Sequence, residues 1–211
     1  MGRESSELKQ RSPSAFLGRV RKALETWWPE TPILWIGVFA ALYLLTYLVS
    51  ILPAQVWEVV PDRISLLYLP SFIRVVAVLV AGFAGLIGVF IGSMLAAIFF
   101  VGDSVLHAAW IAFASSAGAF AACWLMRQAL ATDSLPFTLP VLLVMSVMFS
   151  AFNALFHAFS WSFIGGYEDV TIHHVALMIV GDFFGVIAGF LLTRIGLRLL
   201  RVTGLYPRSS G

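Results

Sequence analysis

The sequence predicts an all-α fold: a polytopic membrane bundle of about six transmembrane helices, preceded by an amphipathic helix on the membrane surface. Three observations predict it. First, 60% of the 211 residues are hydrophobic and only 11% are charged. A soluble domain carries about 25% charged residues, so this chain has too few to cover a surface facing water, and its mean hydropathy of +0.94 agrees. Second, the apolar residues come in runs of about twenty, the length that crosses the hydrocarbon core of a bilayer. Third, ten of the thirteen Lys and Arg lie at the two ends: Arg3, Lys9, Arg11, Arg19, Arg21 and Lys22 before the first run, and Arg194, Arg198, Arg201 and Arg208 around the end of the last.

Residues 1–12 are polar and read as a disordered N-terminus. Ser12 and Pro13 have the form of an N-cap and first helical position. They open an amphipathic stretch over 13–30, with Phe16, Leu17, Val20, Leu24 and Trp27/Trp28 on one stripe and Arg19, Lys22 and Glu25 off it. A basic helix of this kind lies in the interface, its apolar face in lipid; docking on a partner is the competing reading. No cleavable signal peptide is evident, because the basic region is too long and the first run is long enough to span.

The transmembrane domain occupies 31–200. Its first span covers 32–52, followed by a polar segment over 53–69. The apolar stretch 70–101 would be roughly 48 Å long as one helix, against a core of about 30 Å. It is read as two short or tilted helices with a turn near Gly82–Gly85. Further spans fall at 104–126, 138–160 and 172–195, and 201–211 form a short basic tail. Six spans put both basic termini on one side, which the positive-inside rule makes cytoplasmic. They also put Arg127 inside and the acidic pairs Glu58/Asp62 and Glu168/Asp169 outside. The location expected is the bacterial inner membrane. Trp57, Tyr68, Trp161 and Tyr167 would mark the outer interface, and Trp27, Trp28 and Trp124 the inner one.

Small residues recur at four-residue spacing: Gly88 and Gly92, with Ala81 and Gly85 before them, then Ala114, Gly118 and Ala122, then Gly181, Gly185 and Gly189. Such spacing lets helix backbones approach closely in lipid. It predicts packing within the bundle, with homo-oligomer formation as the alternative.

Ionisable groups inside a membrane cost at least about 2.5 kcal/mol each, so each needs a reason. Arg74, Asp103, His107, Asn153, His157, His173, His174 and Asp182 all fall in the outer half under the six-span reading, and are read as a polar cluster lining an outward-facing pocket. Four readings stay open: structural pairing of Arg74 with Asp103 or Asp182, a site for a small anionic or polar ligand, a metal site using the histidines, and a proton relay. No metal motif matches the spacing, and no metal or cofactor is expected. The single cysteine, Cys123, excludes an internal disulfide or a cysteine metal pair. GxSxG, HExxH, phosphate-loop and dinucleotide motifs are missing from the sequence, so an enzyme is not expected, and neither is a nucleic-acid partner.

Two stretches carry a resemblance. LYLPSFIRVVAVLVAGFAGLIGVFIGS, residues 67–93, and GDFFGVIAGFLLTR, residues 181–194, resemble the bacterial membrane-associated sensor domains found ahead of diguanylate cyclases and histidine kinases. The resemblance covers roughly 60–200 and would single out Pro70, Arg74, Gly82, Gly181 and Asp182. Family members usually have more helices and carry a cytoplasmic output domain, where the sequence shows a short tail; the resemblance therefore implies either output through a partner protein in the membrane or at its cytoplasmic face, or a free-standing relative with another task. A looser similarity is to the six-helix substrate-binding subunits of vitamin transporters, which would have Gly37 and Ala41 on the first helix dock a partner. The expected function is thus a non-enzymatic sensor-like module. A small-solute transport subunit and an assembly subunit of a membrane complex are the alternatives.

Overall fold

The structure is a computed structural model and describes residues 30–51, 58–60, 64–65, 67–132, 135–136, 138–164 and 171–202. The expected amphipathic helix over 13–30 and most of the basic tail lie outside these residues. The elements are α1 (Pro32–Ile51), a small antiparallel ribbon of β1 (Glu58–Val60) and β2 (Ile64–Ser65), α2 (Pro70–Ala96) continued by a π-helical turn (Ala97–Val101), α3 (Val105–Leu130), α4 (Leu139–Ile164) and α5 (Ile172–Val202). Among the described residues, five helices are long and apolar enough to cross a membrane, which fits a multi-pass membrane protein. The ribbon is a small departure from an all-helical chain, and α3, α4 and α5 each run several residues past the expected span ends.

Helices are the natural outcome of such runs, because a chain without water must satisfy its backbone groups internally. The boundaries follow local chemistry. Pro70 stands at the start of α2, where its missing N–H costs nothing. The Ser104 side chain caps α3 by accepting from the His107 amide at 3.4 Å. Gly102, at φ 82°, ends the π-turn in a left-handed conformation that glycine adopts without strain.

The expected break in the long apolar stretch falls at Gly82, with φ 53° and ψ −124°. The contacts on either side show that it reverses the chain. Arg74 bonds the Tyr43 hydroxyl, and a Cβ on Gly92 would lie 2.9 Å from Tyr43 Cβ. In a straight helix Arg74 and Gly92 would be about 27 Å apart. The two limbs of α2 also meet directly, since a side chain on Gly85 would collide with the Ala77 carbonyl. The second limb runs parallel to α1, Gly88 lying on Ile36–Ala40 and Gly92 on Ala40–Tyr43. The first limb runs parallel to α5, which receives Tyr68 at Gly185 and Phe72 at Gly189.

The core lies around the first limb of α2. Val75, Ala77 and Val78 are completely buried there, beside Ala119, Ala122 and Cys123 of α3 and Leu142, Met145 and Phe149 of α4. Polar side chains in the helices mostly bond their own backbone: Ser146 donates to the Leu142 carbonyl, Ser150 to Ser146 and Thr193 to Gly189. In α1, only Phe39 and Tyr43 are buried.

Candidate functional site: a buried Arg–Asp centre

Four of the eight sequence-picked polar residues come together. Arg74, Asn153, His157 and Asp182 are each at most 5% exposed and gather between α2, α4 and α5. Asp182 is the hub. Its Oδ1 accepts from the Ser71 hydroxyl, and its Oδ2 accepts from Asn153 Nδ2 at 2.6 Å. Arg74 Nη1 stands 4.0 Å from Asp182 Oδ1, so the two charges pair without a direct hydrogen bond. Arg74 Nη2 donates instead to the Tyr43 hydroxyl at 2.8 Å.

Aromatic rings enclose the guanidinium. Its Cζ lies 5.4 Å from the Tyr43 ring centre and 5.1 Å from that of Tyr68, within cation–π range. The two tyrosine hydroxyls share a 2.9 Å hydrogen bond. Tyr68 reaches this place because residues 67–69 enter the bundle as non-helical backbone. The Tyr68 amide donates to the Gly181 carbonyl at 3.3 Å, and its carbonyl occupies the space a side chain on Gly185 would need. Irregular backbone inside a bundle must be covered by protein, and Gly181 and Gly185 provide that cover.

His157 extends the centre along α4. Its Nε2 and the Ser115 hydroxyl of α3 share a 3.0 Å hydrogen bond, and its ring lies 5.6 Å from that of Trp161. Close packing brings α3 to this level: a Cβ on Gly118 would lie 2.9 Å from the Asn153 backbone.

The centre differs from the expected pocket in two ways. First, it is closed, and the groups are bundle-internal. A groove of about 320 Å³ between α4 and α5, lined by Leu143, Val144, Val147, Met148 and Phe183, is wholly apolar. Second, the remaining four residues stand apart from it. Asp103 and His107 form their own pair at the start of α3, 3.1 Å from Oδ1 to Nδ1 and part-exposed. His173 is exposed at the start of α5, and His174 Nδ1 accepts from the Thr171 amide at 3.0 Å. Among the described residues no three His, Cys, Asp or Glu are placed to hold a metal ion. The Asp103–His107 pair borders solvent, so Asp103→Asn is expected to change stability by less than about 1 kcal/mol, checked by thermal melting in detergent.

Sequence reasoning missed Tyr43, Tyr68, Ser71 and Ser115. Tyr68 faces Arg74, and Trp161 is buried against His157. Tyr43 was the most legible of the four. It stands mid-span, far from either interface, where a phenol needs a hydrogen-bond partner.

The bonding at the centre is incomplete. Arg74 Nε and Nη1, Asn153 Oδ1 and His157 Nδ1 are buried and have no hydrogen-bond partner among the described residues. No family model, curated protein or solved structure matches the chain.

Proposed function

We propose that this chain is a non-enzymatic, sensor-like module of the inner membrane, whose Arg74–Asp182 centre binds a small ligand and whose output passes through a partner protein. The observation that carries this reading is the unused hydrogen-bonding capacity of a buried, charged centre. A purely structural network tends to be fully satisfied, because each orphaned polar group costs about 1–3 kcal/mol. Here four buried atoms on three side chains have no partner among the described residues. The same network ties α1, α2, α4 and α5 together, so occupancy would bear on the relative placement of four helices. Of the residues that the resemblance to bacterial sensor domains singles out, Arg74 and Asp182 belong to this network, and Pro70 and Gly181 stand next in sequence to Ser71 and Asp182.

The reversal at Gly82 supports six membrane crossings. Counting the limbs of α2 separately returns the C-terminal end of α5 to the side on which α1 begins. Both basic ends then share a side, which the positive-inside rule makes cytoplasmic. The last turns of α5 are exposed on nearly every side from Leu191 to Leu199, and they offer a partner a ready surface. A solute-transport subunit is less well supported. Transporters place their solute at a helix break, whereas the break at Gly82 lies about 12 Å along the helix from Arg74 and is bordered by Ala81 and Phe83.

Gentle solubilisation followed by native mass spectrometry tests the reading. The expected result is a copurified kinase- or cyclase-type protein and a small molecule that is lost on Arg74→Ala. A stoichiometric membrane complex without any small molecule would replace it with an assembly role.

A further inference from the structure

The unpartnered atoms also indicate what class of molecule the centre accepts. Resting on the ligand-site reading above, we infer that the centre takes a small uncharged molecule carrying both hydrogen-bond donors and acceptors, an amide or hydroxyl compound, and rejects anions and cations.

Charge is the first argument. Arg74 and Asp182 are 3% and 2% exposed and neutralise each other. An anion would leave the buried centre with net negative charge, and a cation would leave it positive; either is costly where solvent screening is weak. Partner chemistry is the second. The Asp182 oxygens are already engaged by Ser71 and Asn153, so the carboxylate is poorly placed to receive a cation. Arg74 Nε and Nη1 are donors and call for an acceptor. Asn153 Oδ1 is an acceptor and calls for a donor. The orientation of that amide is fixed, because only its NH2 group can face the carboxylate at 2.6 Å. A carboxylate ligand would satisfy Arg74 but set its oxygens against Asn153 Oδ1. An ammonium ligand would satisfy Asn153 but face Arg74. His157 Nδ1 can serve either sense, according to which ring nitrogen carries the proton. Only a ligand with both donor and acceptor groups meets all three side chains.

Acetamide, acetate and methylammonium form a test set of similar size that differs in charge. Each is added to the wild-type protein in lipid nanodiscs, and thermal unfolding is followed. Acetamide, at several-fold excess over its dissociation constant, is expected to raise the midpoint by about 2–4 °C, while acetate and methylammonium leave it unchanged. The acetamide shift is expected to shrink in His157→Phe, which keeps both Asp182 hydrogen bonds but offers no ring nitrogen, and to persist in His157→Gln. Stabilisation by acetate or methylammonium in place of acetamide would overturn the neutral-ligand inference and leave the ligand-site reading standing. An acetamide shift equal in wild type and His157→Phe places binding elsewhere and overturns it too. No shift with any probe overturns the inference; whether the centre is a ligand site at all is then decided by the small molecule carried through native purification.

Discussion

Asp182→Ala is expected to destabilise the bundle by about 3–5 kcal/mol, the usual cost of breaking a buried charge pair from one side. Three losses combine. The Arg74 guanidinium is left buried without a counter-charge, and the Ser71 hydroxyl and Asn153 amide lose their acceptor. Arg74→Ala should fall in the same range, since it abandons the carboxylate and takes the donor from Tyr43. The double variant Arg74→Met/Asp182→Leu should recover much of the loss, because a well-packed apolar pair in place of a buried ion pair is often neutral or stabilising. Denaturant titration in mixed micelles, arranged as a double-mutant cycle, checks the set. Single variants that unfold like wild type would mean the two residues are not a pair.

The second large effect concerns Gly185. Any side chain there meets the backbone carbonyl of Tyr68, not the end of a movable side chain. Relief therefore requires moving residues 67–69 out of the bundle, and Tyr68 off Arg74 with them. Gly185→Leu should cost at the upper end of the about 1–3 kcal/mol typical of overpacking, visible as poor yield and a lowered melting point. Gly37→Ala is the control. Among the described residues a Cβ at Gly37 meets nothing within 4 Å, so the change should be neutral or slightly stabilising through helix propensity. Equal damage at both positions would contradict the packing of α5 against Tyr68.

The parts of this architecture that were legible in the sequence are those set by length and by desolvation. Stretch 70–101 exceeds the thickness of a bilayer, so a break had to fall within it, and glycine was the residue able to supply φ 53°. Arg74, Asn153, His157 and Asp182 stood out because polar groups inside apolar runs need partners. The grouping of Asp103, His107, His173 and His174 with them was not legible. All four stand at or just before a helix start, where spacing along one helix does not reveal which neighbour, if any, the side chain faces. Nor could composition show that residues 67–69 enter the bundle, because the descent depends on room left by glycines more than a hundred residues later.

The reversal at Gly82 has a consequence for biosynthesis. The first limb, residues 70–81, is about 18 Å long, too short to partition into lipid by itself, and it carries a cation. It must enter as one arm of a hairpin, drawn in by the longer apolar arm that follows. At about 5–20 residues per second, the ribosome reaches Asp182 on the order of 5–20 s after Arg74. Of the groups that surround Arg74 in the folded bundle, the tyrosines Tyr43 and Tyr68 are made before it and Asp182 after it. The aromatic enclosure of the charge is thus complete in the chain before its acidic partner arrives with the last helix.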